Sequence, residues 1–297
     1  MKHVISISLG SSKRDAKVSV NLGGEECLLE RIGTDGDKKK ALELFKKWRN
    51  NVDAFGLGGT DLYIYAGNKR YTFKESEKFL KAAGNTPLFD GSGLKIDLEK
   101  KVLRYLQEEK IIDLKKAKVL LVCGVDRVGM AQMFSRYGSN VVFGDLMFGI
   151  SLPIPIRKIE TLNFLAGIIA PIITKMPIEY FYPIGGSQEK RTPKFSPYFQ
   201  AADIIAGDFH FIHQYMPDEL DGKIVITNTV TKEDKEFLKN SKVKILVTTT
   251  PNFAGRSFGT NMLEAALYAI RKKPRGNQLC YADMPEYLAI KPSIFYF

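Results

Sequence analysis

Residues 118–145, KVLLVCGVDRVGMAQMFSRYGSNVVFGD, hold the pattern from which the rest of the chain is read. Val119 to Val122 form a short continuous apolar run, which suits a parallel strand covered on both faces. Gly124 permits a tight turn, and Val128, Met130, Ala131, Met133 and Phe134 then recur at helical rather than alternating spacing. Gly138 closes that helix, residues 140–143 supply a second strand, and Asp145 ends it. Strand, glycine turn, helix and strand make half of a nucleotide-binding unit. The acid lies about twenty residues past the glycine, the separation at which a dinucleotide-binding domain grips a ribose hydroxyl.

On this reading the backbone N–H groups at the helix start would carry a pyrophosphate, because the helix dipole favours negative charge there. The expected cofactor set is Gly124, Asp126, Arg127, Val128, Gly129 and Asp145. Gly124 and Gly129 are the outer glycines of G-x-G-x-x-G, and Asp126 replaces the middle one. Its charge would repel a phosphate and Arg127 would offset it. A Rossmann-like unit whose site has decayed, or which takes another ligand, is the alternative. A carboxylate at the second strand end favours NAD over NADP, since a 2′-phosphate would be repelled.

At 297 residues the chain is long enough for two domains, each with its own core. With 44% hydrophobic and 26% charged residues it reads as a soluble globular protein. The nearest approach to a membrane-length apolar run, residues 161–174, is too short and contains Pro171. The opening MKHVISISLGSS reads as a strand rather than a secretion signal, so a cytoplasmic location and no membrane association are expected. Cys27, Cys123 and Cys280 lie far apart and form no CxxC pair, which indicates neither a disulfide framework nor a zinc site. The net charge of +11 comes from lysines interspersed with acids, as in Lys232-Glu233-Asp234-Lys235. Solvated faces explain it without a specific nucleic-acid partner, and it leaves a general attraction for anionic small molecules.

The expected fold class is α/β: an N-terminal mixed α/β domain and a C-terminal Rossmann-type doubly wound parallel sheet. The expected division is residues 1–93, a substrate unit; 94–116, a connecting helix and linker; 117–275, the nucleotide-binding unit; and 276–297, a tail packing on the body or on a second subunit. In the first unit strands are expected at 4–9, 16–22, 26–32, 51–55 and 63–66, with helices at 37–50 and 76–83, the latter capped by Ser76 and ended by Gly84. Further strands are expected at 179–183, 203–206, 223–227 and 244–248, and helices at 159–170, 232–238 and 261–271. Two glycine loops follow strands, at residues 8–15 and 56–61; each presents backbone N–H groups to an anion or is a simple turn.

The order Asn85-Thr86, then Asp90-Gly91-Ser92-Gly93-Leu94, a crossing helix and a glycine-turn domain resembles the shikimate and quinate 5-dehydrogenase family, whose N-T-D-G-x-G motif is here split by three residues. Ala202-Asp203 to Gly207, Met216-Pro217, Gly222 to Ile226, and Gly259-Thr260-Asn261-Met262-Leu263 are similar to later motifs of that family. The resemblance implies an NAD(P)-dependent oxidoreductase acting on a hydroxyl of a small polyhydroxy carboxylic acid. It implies Asp90 as acid-base residue and Ser6 and Ser8 as substrate contacts. The family's N-V-T-x-P-x-K segment has no counterpart, and Ala266 stands where a glutamine is expected. Lys13, in a polar loop after a strand, is the lysine best placed to share proton transfer, with a solvated surface side chain as the plain alternative.

Two further constellations compete for roles. Asp208, His210 and His213 follow a strand end, where open parallel sheets bind ligands; a polar loop lining the cofactor site is expected, with His210 in it, and no metal. The loop from Thr248 to Gly259 offers Asn252 and Arg256, whose guanidinium suits a carboxylate or phosphate, against the alternative of an N-capping loop. Two rivals to the dehydrogenase stay open. One is a non-catalytic nucleotide or small-ligand sensor; the other is an enzyme using another ribose-containing ligand such as S-adenosylmethionine.

Overall fold

The computed structural model describes residues 1–66, 69–177, 191–250, 252–253, 256–271 and 291–297. The chain folds as a mixed α/β protein built on two principal sheets. The first comprises β1 (Lys2–Ser8), β2 (Ala16–Leu22), β3 (Glu25–Gly33), β4 (Ala54–Gly58) and β7 (Leu88–Phe89), with α1 (Lys38–Trp48) and α2 (Glu77–Ala83) between strands and β5 (Tyr63–Ala66) and β6 (Lys69–Thr72) forming a separate hairpin. Its order is β2-β3-β1-β4-β7, parallel except for β2, which returns antiparallel to β3 through the Gly23-Gly24 turn.

Alternation decides what covers this sheet. Ile5, Ile7, Phe55 and Leu57 point to one face, against Ala41 and Phe45 of α1 and Phe79 and Ala82 of α2. Val4, Cys27, Leu29 and Ala54 point to the other, against Met262, Ala265, Ala266 and Ala269. Those four residues belong to a helix near the C-terminal end, so the first sheet is completed by a late segment of the chain.

After β7 comes α3 (Ser92–Glu108), then β8 (Lys118–Leu121), α4 (Val128–Tyr137), β9 (Asn140–Phe143), a π-helical turn at Asp145–Gly149 and α5 (Ile159–Ile173). Then follow α6 (Ser196–Ala201), β10 (Ile204–Ala206), α7 (Phe209–Tyr215), β11 (Ile224–Thr227), α8 (Lys232–Asn240), β12 (Ile245–Thr248), the short pair β13 (Asn252–Phe253) and β14 (Arg256–Ser257), α9 (Thr260–Arg271) and β15 (Ser293–Tyr296). The second sheet has the order β15-β12-β11-β10-β8-β9. All its strands are parallel except β15, which pairs antiparallel with β12. Val119 and Leu121 face α3, α4 and α5, whereas Leu120 and Val122 face α6, α7 and α8, so helices cover both faces as the βα alternation predicts.

The structure departs from the sequence reading in several places. Residues 209–215 form helix α7 rather than a polar loop, since Asp208 caps it by accepting the His210 N–H and Phe209 and Ile212 bury their side chains. Ser76 does not cap α2; its Oγ donates instead to the Asp61 carbonyl at 2.8 Å. Helix α5 continues through Pro171 to Ile173. Helix α9 sits on the first sheet, while residues 291–297 of the tail pack on the body through β15. The strand expected at 179–183 and residues 276–290 of the tail lie outside the described residues. Among the described residues no helix is long and apolar enough to cross a membrane.

Candidate functional site

The parallel strands of both sheets end at one cleft of about 780 Å³. From the first sheet come Ser8 and Gly10 after β1, Gly58 to Asp61 after β4, and Asp90 after β7. From the second come Asp126 and Arg127 after β8, Asp208 after β10, Asn228 to Lys232 after β11 and Thr248 at the end of β12. Open α/β sheets bind ligands outside the carboxyl ends of their strands, where the strand order reverses. In the second sheet that reversal lies between β8 and β10, where Arg127 and Asp208 meet.

The floor is an ion network. Arg127, only 4% exposed, donates from Nη2 to Asp208 Oδ2 at 2.6 Å and from Nη1 to Glu99 Oε1 at 3.2 Å, and its Nε lies 3.1 Å from Asp126 Oδ2. Lys95 Nζ donates to Asp126 Oδ1 at 2.6 Å, and Asn228 Nδ2 donates to Asp208 Oδ2 at 2.8 Å. Burial opposes ionisation of Asp126, yet Lys95 and Arg127 outweigh it and hold its pKa down at about 2. Burial raises Glu99 to about 6 against the pull of Arg127. The charges of Asp126 and Arg127 are therefore spent on each other and on neighbouring groups.

The expected phosphate cradle is closed. The Asp145 carboxylate turns back onto its own turn, Oδ2 accepting the Gly124 N–H and Oδ1 the Val125 N–H, both at 2.9 Å. A side chain at Gly124 would meet Leu162 at 2.8 Å and Phe143 at 2.9 Å, so the space over the turn is already filled. Burial lifts the Asp145 carboxyl to about 6, with the two amide bonds working against the shift. Gly129 serves helix packing: a Cβ there would lie 2.8 Å from the Glu99 side chain and against the Ile96 carbonyl, so α3 approaches α4 over it. Met130 N–H, one turn into α4, donates to Glu99 Oε2 at 3.2 Å. Val128, Gly124, Gly129 and Asp145 are not among the cleft-lining residues; Asp126, Arg127 and His210 are.

The remaining expected residues divide similarly. Asp90 lines the cleft, but Oδ2 accepts the Leu62 and Tyr63 N–H groups at 2.7 and 3.1 Å and Oδ1 accepts that of Ser92 at 2.9 Å, which ties β5 to the start of α3. Lys13 stands exposed at the rim, in a 3-10 turn capped by Ser11. Ser6 and Ser8 are buried: Ser6 Oγ accepts from Asn261 Nδ2 at 2.7 Å, and Ser8 Oγ accepts from Gly10 N–H and Arg31 Nη2 at 3.1 and 3.0 Å. Burial lowers the His210 pKa despite Asp208 nearby, leaving a neutral imidazole in the cleft. His213 points elsewhere, edge-on to Phe237 with 4.9 Å between centroids. Among the described residues no group of three or more His, Cys, Asp or Glu is placed to hold a metal. Asn252 pairs with Ser257 and Arg256 with Phe253 in the β13–β14 ladder, and the structure describes neither the Asn252 nor the Arg256 side chain.

Sequence reasoning overlooked Lys95, Arg31 and Asn228, and named Thr60 only as part of the glycine loop at 56–61; all four line the cleft. For α7 the sequence offers a capping Asp before apolar residues at 209 and 212, a signal only one turn long.

A family model described as a domain of unknown function (DUF8754) matches residues 93–297. The chain belongs to this family. A second domain of unknown function (DUF8753) matches residues 3–90, ahead of the DUF8754 region. No curated protein matches the sequence. Among solved structures, a galactofuranose binding protein is similar at 11% identity and a TM-score of 0.39, covering 100% of this chain and 95% of that one. The arabinose-binding component of an ABC transporter from Shewanella sp. ANA-3 is similar at 10% identity and 0.37, covering 93% and 87%. Glutamate dehydrogenase from Thermus thermophilus is similar at 11% and 0.40, covering 91% and 69%. Likenesses this distant assign neither ligand nor reaction.

The dehydrogenase reading is corrected: the families that match are domains of unknown function, not shikimate or quinate dehydrogenases, and the turn expected to hold the nucleotide is closed by Asp145. NAD, NADP and S-adenosylmethionine are likewise withdrawn as cofactors, because the amides that would hold a pyrophosphate and the acid that would hold a ribose satisfy each other.

Proposed function

We propose that this protein is a non-catalytic binder of a small, hydroxylated, anionic molecule held between its two sheets. The observation that carries this reading is the cleft itself. At about 780 Å³ it falls within the ordinary range for small-molecule sites, and it is framed by strand ends and loops from both halves of the chain. Its lining supports a polar ligand, since hydroxyls of Ser6, Ser8, Thr60, Thr229, Thr231 and Thr248 alternate with charged groups. Its rim favours an anion: Lys13, Arg14, Lys232 and Lys235 line it, with Glu233 as the opposing acid, while Arg31 is largely buried and bonded to Asp15 and Ser8. Arg14 also reaches Asp234 of α8 at 3.7 Å, so a cation from the first half meets an acid of the second across the mouth.

The experiment is calorimetric titration of the purified protein with small polyhydroxy acids, sugar phosphates, neutral sugars and NAD. The reading expects one site for an anionic hydroxylated compound, weakened by salt, and no heat from NAD. Saturable NAD binding, or no binding by any hydroxylated anion, overturns it.

A further inference from the structure

The cleft is electrically graded from floor to rim. At the floor, Asp61, Asp90, Asp126 and Asp208 stand with Lys95, Arg127 and the largely buried Arg31, so acids outnumber bases there. His210 adds no charge there, because burial keeps it neutral. At the rim the balance reverses, with Lys13, Arg14, Lys232 and Lys235 against Glu233 and Asp234. An anionic group is repelled from the floor and attracted to the rim, whereas a hydroxyl, which donates as well as accepts, suits the floor.

One floor residue has unspent hydrogen-bonding capacity. Thr60 lines the cleft on the turn after β4 and is 4% exposed, and its Oγ1 has no hydrogen-bond partner among the described residues. Around it the acids are engaged: Asp90 by three amides, Asp126 by Lys95, and Asp208 by Arg127 and Asn228. A buried hydroxyl left unpaired costs stability, and such a cost persists where function uses the group. Rotation about χ1 carries Oγ1 among three staggered positions, which lets it turn toward a ligand.

Resting on the binding reading above, we infer that the ligand is a polyhydroxy acid bound hydroxyl end first, with Thr60 Oγ1 hydrogen-bonded to an inner hydroxyl and the acidic group at the rim near Lys232. The test uses D-gluconate and its neutral counterpart D-glucitol as probes, titrated into the full-length protein, Thr60→Val and Lys232→Glu. Wild type is expected to bind gluconate more tightly than glucitol. Thr60→Val weakens both by a similar factor, about three- to tenfold for one neutral hydrogen bond, and Thr60→Ser restores them. Lys232→Glu weakens gluconate and spares glucitol.

Thr60→Val is also expected to melt at the wild-type temperature or above it, because valine removes an unpaired hydroxyl; a purely structural threonine would give a lower melting point. Gluconate binding that survives Thr60→Val unchanged, or equal losses for both probes in Lys232→Glu, overturns the orientation and leaves the binding reading standing. Absence of gluconate binding to wild type overturns both.

Discussion

The Asp145 carboxylate bridges the backbone N–H groups of Gly124 and Val125 at 2.9 Å each, so the acid closes the turn it was expected to serve. The two amides gain an acceptor without help from a ligand, and the helix start loses its hold on a phosphate. Asp145 titrates near 6 in the folded protein because burial disfavours its charge, against about 3.9 in an unfolded chain. Between those values the folded state holds the additional proton, so stability falls as pH rises from about 4 to about 6. Glu99, raised to about 6, acts in the same direction. Urea midpoints measured across this window should decline in wild type and decline less in Asp145→Asn. Identical slopes would mean that the carboxylate is not buried as described.

Arg127 joins Glu99, Asp126 and Asp208 beneath the cleft. Removing the guanidinium leaves buried carboxylates without their counter-charge, which typically costs about 3–5 kcal/mol. Arg127→Met should therefore shift the urea midpoint strongly downward. A loss below about 1 kcal/mol, the scale of surface pairs, would show that water reaches the network.

Gly129 separates two glycine arguments. In the sequence it completes a phosphate fingerprint, whereas in the fold it lets α4 approach Ile96 and Glu99 of α3. Gly129→Ala should lower stability by about 1–3 kcal/mol through overpacking, read as a drop in melting temperature. Gly149→Ala, where nothing lies within 4 Å of the added methyl, is the matched control and should change little.

His210 should titrate below its ordinary value of about 6.5, because burial outweighs the attraction of Asp208. A proton NMR titration of the imidazole signals checks this. The neutral ring also implies that ligand affinity stays flat between pH 7 and 8 as far as His210 is concerned, and a midpoint above 7 would refute it.

The fold was legible where periodicity is strong. Residues 119–122 and 140–143 read as buried parallel strands and the 128–134 spacing as a helix, and β8, β9 and α4 stand there. Short aromatic segments were less legible: α7 has seven residues, too few for a periodic signal to stand out. That α9 covers the first sheet was not legible either, because an apolar stripe does not name the surface that buries it. The site failed in a comparable way. Spacing places an acid within reach of a turn but does not say whether its oxygens face a ligand or the turn's own amides. Local N–H groups are always present to compete for them, and at Asp145 they win.

Amide NMR of the isotope-labelled protein tests the central claim most directly, with D-gluconate and NAD added to separate samples. The account predicts that gluconate shifts the amides of Gly59, Thr60 and Thr229 to Lys232 on the two cleft walls, and that NAD leaves Gly124 and Val125 unmoved. NAD-dependent shifts at Gly124 and Val125, or gluconate shifts that bypass Thr60, would contradict it.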